Sequence, residues 1–245
     1  MNPNSIRALI AAAGRGTRAG LPYPKTLFPI QGQPILIHIL NLLAAYDRFP
    51  AIVVSPEGKD LIQLELDTRG FKSELIEQPV PKGMGDAVLC LEHSLVPPAE
   101  HVLLIWGDIP FIQPATVATL VSQHLKNNND LTFVTRIVDQ AYTVVRRDLK
   151  GRVLDLEETR ESGRSVAEGE RDIGLFVFRH IPVLECLKKD VPEKFGKHTG
   201  EHGFLYIVRQ LVIQDLKVEA LPIATELDLI SLNSLNDVRP WLEES

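Results

Sequence analysis

Four short apolar runs, IRALIAA (6–12), AIVVS (51–55), SELIE (73–77) and HVLLIW (101–106), punctuate the first half of the chain. Runs that are β-branched or continuously apolar, and too short for helices, suit parallel strands covered on both faces. Helical patterns fill the intervals, at about 34–46, 58–69, 85–95 and 114–127. Pro34 and Pro114 stand where a first helical turn tolerates proline. A chain that alternates in this way is held to right-handed βαβ units and an open, mostly parallel sheet.

The pattern changes after NNND (127–130). LTFVTRIV, YTVVRRD, RVLDLEE and IGLFVFR follow, with the polar, helix-poor segment 157–171 before the last of them. These strands predict a mixed or antiparallel extension of the first sheet. Helices near 181–190 and 203–214, a final strand KVEALPI and a terminal helix from about 235 complete the pattern. With no repeat, no low-complexity tract and no Pro/Gly-rich linker, one domain of two lobes is expected, 1–133 and 134–245.

A hydrophobic fraction of 44% and a charged fraction of 24% suit a soluble globular chain with a true core. The formal charge of -6 argues against a general nucleic-acid binder, though not against binding a nucleotide through a local basic cluster. Cys90 and Cys186 lie far apart in apolar helical stretches and read as buried, reduced thiols. The histidines show no zinc-binding spacing. ALIAAAG is too short for a signal peptide, and PILIHILNLLAA is too short to span a bilayer. The expectation is a cytoplasmic protein with no membrane partner, its oligomeric state left open.

The stretch AAAGRGTRAGLPYPK (11–25) leaves the first strand at its carboxyl end, where open α/β sheets bind ligands. Glycines let backbone N–H groups approach phosphate oxygens, and Arg15, Arg18 and Lys25 can neutralise their charge. No G-x-x-x-x-G-K-[ST] run occurs, which excludes a P-loop. GRGTRA fits the looser dinucleotide fingerprint, but residues 34–46 offer no Asp or Glu for a ribose.

The whole string, small apolar residues, G-x-G-T-R, five residues and Pro-Lys, resembles the signature of the sugar-1-phosphate nucleotidyltransferases. EQPVPKGMGDAV (77–88), LLIWGDIPFI (103–112), VLDLEETRE, RDIGLFVF, TGEHGFLYIV and LISLNSLNDV resemble that family's later motifs, in order. Within the family, the order and spacing of the motifs from residue 8 to 238 resemble those of the uridylyltransferase domains of bacterial N-acetylglucosamine-1-phosphate uridylyltransferases. The hexapeptide-repeat acetyltransferase half that accompanies this domain in bifunctional enzymes has no counterpart in the 245 residues.

The resemblance implies a Rossmann-like sheet of the nucleotide-diphospho-sugar transferase type, with a smaller β-rich lobe for the sugar. It implies a reaction in which a sugar 1-phosphate attacks the α-phosphorus of a nucleoside triphosphate and expels pyrophosphate. UTP and N-acetylglucosamine 1-phosphate are the favoured pair. By the match, Ala12, Ala13, Gly14, Arg15, Gly16 and Thr17 wrap the triphosphate with Gly107, while Arg18 and Lys25 hold its phosphates. Gln78 faces the base and Gly83 lets the backbone approach it. Asp108 and Asn233 hold Mg²⁺, with Asp228 as the other candidate for the second ligand. Thr143, Glu157, Asp172 and Gly174 line the sugar site, and Glu201 marks the start of the helix after it.

Three positions depart from the family pattern: Met84 for a polar residue beside the base, Thr143 for Gly, and Asp172 for Asn. They leave open a cytidylyltransferase or other nucleotidyltransferase with a different phosphorylated acceptor. A nucleotide-binding regulatory module without turnover also stays open.

Overall fold

The computed structural model describes residues 6–14, 20–163 and 166–242. Arg15, Gly16, Thr17 and Arg18, four of the residues assigned to the triphosphate, lie outside them. Strand β1 (Ile6–Ala11) is the spine. A two-residue ribbon, β2 (Pro29–Ile30) and β3 (Gln33–Pro34), precedes helix α1 (Ile35–Leu43). Strand β4 (Ala51–Val54), helix α2 (Pro56–Arg69), strand β5 (Glu74–Glu77), helix α3 (Met84–Leu89), strand β6 (His101–Trp106) and helix α4 (Pro114–Asn127) continue the alternation. Then come β7 (Leu131–Asp139), the antiparallel pair β8 (Thr143–Arg147) and β9 (Val153–Glu158), the single turn α5 (Thr159–Ser162) and the long β10 (Glu168–Arg179). Helices α6 (His180–Lys188) and α7 (Ile207–Ile213), strand β11 (Val218–Leu221) and the short α8 (Leu235–Val238) finish the described chain.

Seven strands form one sheet in the order β11-β7-β10-β6-β1-β4-β5. β10 runs antiparallel to both of its neighbours, and every other pairing is parallel. This is the mixed, mostly parallel α/β sheet flanked by helices that the alternation predicts, and β8–β9 is a smaller sheet beside it. Side-chain alternation sorts the strands onto two cores. Ala8, Ile10, Ile52, Val54, Leu103 and Ile105 pack towards α1, α2 and α4. Leu9, Val53, Leu104, Phe176 and Phe178 pack with residues of α3, α6 and α7.

Helix ends differ from the expected bounds for local reasons. α2 begins at Pro56 because the Ser55 hydroxyl accepts the Gly58 N–H at 3.2 Å, and it stops at Gly70 in the left-handed region, φ 72°. The stretch 85–95 is split into α3 and a 3₁₀ turn at Cys90–His93. α7 starts only at Ile207, and the terminal helix is a single turn followed by a 3₁₀ turn at Arg239–Trp241. Cys90 and Cys186 are free and buried. Among the described residues, no helix is long and apolar enough to cross a membrane.

Candidate active site

A cleft of about 960 Å³ opens along the carboxyl edge of β1 and β6. Its floor begins where the two strands end together, with Ala11 paired to Trp106. Gly107 then donates its N–H to the Ala11 carbonyl at 3.0 Å, and a Cβ on Gly107 would stand 2.8 Å from that oxygen. Glycine is therefore required for the β6 terminus to close on the glycine loop. This closure aims Asp108 into the cleft. Lys25, on a 3₁₀ turn (Lys25–Leu27), donates from Nζ to Asp108 Oδ2 at 2.6 Å, and both side chains are 20% exposed. Asp108 Oδ1 is buried and has no hydrogen-bond partner among the described residues.

Asn233 lines the same cleft. Its amide nitrogen donates to Ser231 Oγ at 2.9 Å, which leaves its carbonyl oxygen for a ligand. The Leu232 N–H bonds to the Asp108 carbonyl at 2.9 Å, tying this segment to the end of β6. Asp228 has a different place. It is fully buried, outside the cleft lining, and accepts from the Gln113 N–H, the Thr116 hydroxyl and both the N–H and hydroxyl of Thr225. Its oxygens cap α4 from a remote loop. Two oxygen donors, one of them orphaned, fit a hard cation such as Mg²⁺ that draws its remaining ligands from phosphates and water. Among the described residues, no cluster of three His, Cys, Asp or Glu side chains forms a self-sufficient metal site.

Gln78 and Gly83 both reach the cleft, in different ways. Gln78 is only 3% exposed, and its Nε2 donates to the Gly83 carbonyl at 3.1 Å and to Asp86 Oδ2 at 2.9 Å. Gly83, φ 111°, is closed from behind by a second loop, since a Cβ there would lie 2.5 Å from the His202 carbonyl oxygen. His202 N–H bonds to the Lys82 carbonyl and Gly85 N–H bonds to the His202 carbonyl, so loops 78–86 and 192–203 form one wall. Met84, the first residue of α3, lines that wall. Burial, then Lys194, holds the His202 imidazole neutral, its pKa down at about 4.

Away from that wall, to which Glu201 and Gly203 also belong, Thr143 and Glu157 line the cleft, while Asp172 sits beneath it. Asp172 is buried and accepts from Thr143 Oγ1 at 2.7 Å and from the Gly174 N–H at 3.0 Å. Burial raises its pKa against those two hydrogen bonds. Gly174, φ 78°, is pressed on Trp106, whose Cδ2 would lie 2.6 Å from a Cβ. Glu157 pairs with Arg146 at 2.7 Å. Glu201 precedes a turn, not the first turn of α7.

Several lining residues escape a reading by motif. Asp155 lies two residues before Glu157 on β9 and so shares its face, and burial raises its pKa. Arg171 precedes Asp172 and stacks its guanidinium 4.4 Å from the Tyr142 ring centre. Strand alternation was the signal for the first, whereas the second had none.

Residues 8–173 match the model of the MobA-like NTP transferase domain family. The chain is 24% identical over 196 residues to the bifunctional protein GlmU of Thermosipho africanus, covering 75% of this chain and 40% of that protein. It is 28% identical over 191 residues to the bifunctional protein GlmU of Desulfitobacterium hafniense, covering 76% and 41%. With that of Gloeobacter violaceus it shares 28% identity over 243 residues, covering 95% and 48%. The chain thus spans less than half the length of these relatives.

Proposed function

The chain belongs to the MobA-like NTP transferase domain family, and from that membership we propose that it is a nucleotidyltransferase joining a nucleoside triphosphate to a sugar 1-phosphate with release of pyrophosphate. The observation that carries the reading is the Lys25–Asp108 pair at the carboxyl edge of β1 and β6. It sets a cation and a carboxylate, one of whose oxygens has no partner among the described residues, at the floor of a cleft large enough for two substrates.

A phosphate monoester is already a nucleophile, so the chain's task is to hold two anions in line and balance the charge that develops. Lys25 and, from the undescribed part of the loop, Arg15 and Arg18 bind the triphosphate, with Gly107 allowing its close approach. Gly14 and the backbone of Ala12 and Ala13 form the edge it rests on. Asp108 and Asn233 are the residues to hold Mg²⁺, which when bound supplies charge neutralisation on phosphate oxygens. Gln78 and Gly83 face the base. Thr143 and Glu157 face the acceptor, with Asp172 and Gly174 supporting the floor. On this reading the β8–β9 sheet belongs to an acceptor lobe, 134–245, set on a nucleotide lobe, 1–133. UTP and N-acetylglucosamine 1-phosphate remain the favoured pair, and the cytoplasm the favoured compartment.

The test is pyrophosphate release with Mg²⁺ across ATP, CTP, GTP, UTP and dTTP against hexose, hexosamine and pentose 1-phosphates, with phosphocholine added. Release in at least one combination is expected, first with UTP and N-acetylglucosamine 1-phosphate. No release in any combination, with nucleotide still raising Tm, would sink the transferase reading and leave a nucleotide sensor.

A further inference from the structure

Gln78 is the side chain best placed to read a base, and its amide is not free to choose which atom it offers. A primary amide carries two N–H donors and one carbonyl acceptor. Both donors of Gln78 are spent inside the protein, one on the Gly83 carbonyl at 3.1 Å and one on Asp86 Oδ2 at 2.9 Å. Turning the amide over would bring its carbonyl oxygen against the Asp86 carboxylate, two acceptors with no proton between them. The orientation of an amide follows from its network, and here a carboxylate, which can only accept, settles it. The Gly83 carbonyl is itself fixed, because it also receives the Ala87 N–H of α3 at 3.1 Å. What remains for a ligand is the Gln78 Oε1, an acceptor.

We propose that Asp86 is a positioning residue that locks Gln78 as an acceptor-only reader, so that the cleft selects a base presenting a ring N–H. The inference rests on the nucleotide occupying this cleft, as the transferase reading has it. Uracil at N3 and guanine at N1 carry that hydrogen. Cytosine and adenine present a bare ring nitrogen at the corresponding place, which would meet Oε1 lone pair to lone pair. Whichever ring size the cleft accepts, the keto member of the pair is preferred: UTP over CTP, and GTP over ATP. Asp86 does this without touching the base. It stands in the first turn of α3.

Calorimetric titration of the Mg²⁺-loaded protein with UTP, CTP, GTP and ATP, without acceptor, reads the preference directly. A ring N–H lost from a buried reader is expected to weaken binding by about tenfold or more. Asp86→Ala leaves the Gly83 carbonyl alone to hold the amide, and the UTP:CTP or GTP:ATP ratio should fall toward unity, by about threefold or more. Asp86→Asn keeps an acceptor oxygen for Gln78 Nε2 and should restore most of the ratio. In a Gln78→Ala background, Asp86→Ala should change the ratio no further, because the residue it orients is gone.

A role for Asp86 in helix stability alone would lower Tm and weaken all four nucleotides equally, with the ratio intact in Asp86→Ala. That result overturns the proposal. So does wild-type binding of CTP or ATP as tight as that of its keto partner. Pyrophosphate release with no base preference fails this inference alone, and a preference without pyrophosphate release fails the transferase reading alone.

Discussion

Lys25 and Asp108 neutralise one another at 2.6 Å. On the proposed function a triphosphate entering the cleft would part them, Lys25 turning to phosphate oxygens and Asp108 to the cation that accompanies them. Lys25→Ala and Asp108→Asn should each lower turnover by ~10²–10³-fold, the usual cost of one contact aimed at developing charge. Some loss of Tm should accompany it, because each side chain is only 20% exposed and removing one partner strands the other, while circular dichroism at the assay temperature should show both variants folded. Retention of more than about half the wild-type rate by either variant would remove that residue from the machinery. Both residues were legible in the sequence, since each stands in a motif at the carboxyl end of a predicted strand. Asp172 was legible as a position but not in its environment. A hydroxyl at Thr143, on another strand, takes one of its oxygens, and no spacing along the chain announces that contact.

At the scale of elements, the segment after β11 sets one acid, Asp228, and one amide, Asn233, in different surroundings. Asp228 joins Gln113 and Thr116 at the start of α4 to Thr225 on its own loop, through four hydrogen bonds in a fully buried setting. Asn233, five residues on, is exposed and faces the cleft. Asp228→Ala strands several buried donors and should cost about 3 kcal/mol of stability. The Mg²⁺ concentration giving half-maximal turnover should hardly move in that variant. Asn233→Ala should do the reverse, raising the Mg²⁺ requirement while Tm holds. A shifted Mg²⁺ requirement in Asp228→Ala alone would exchange the two roles. From sequence Asn233 comes first as the ligand, with Asp228 the other candidate for its charge; burial is what separates the two. Element bounds were lost in the same way. The start of α2 at Pro56, capped by Ser55, differs from the expected 58, and no local pattern announces the break of α3 into a 3₁₀ turn.

Across the whole molecule, the single antiparallel strand β10 joins the sheet strands of the first half to β7 and β11 of the second, so the change of pattern at residue 130 marks no break in the sheet. Between α4 and the sheet a polar seam runs through this junction. His124, wholly buried, bonds through Nδ1 to Thr132 Oγ1 at 2.9 Å and through Nε2 to His101 Nδ1 at 3.1 Å. Asn129 continues the seam from Thr132 to Glu219 on β11. Burial, with His101 and Arg179 as smaller causes, lowers the His124 pKa to about 3. The unfolded chain takes up that proton near pH 6.5, whereas the folded one refuses it until about pH 3. Stability from this group is therefore full above pH 6.5, falls as the pH drops and levels off below about 3. By pH 5 the loss should be about 2 kcal/mol, or roughly 4–8 °C in Tm. The buried Asp172 acts in the opposite sense, because its raised pKa favours the folded state as acid is added. The informative quantity is thus the difference between wild type and His124→Gln, a side chain that hydrogen-bonds without titrating. Melting both from pH 7.5 to 5 should show the steeper decline in wild type, whatever the offset in absolute Tm. Parallel curves would mean that His124 is protonated in the fold without cost, and that the seam tolerates a charge its burial argues against.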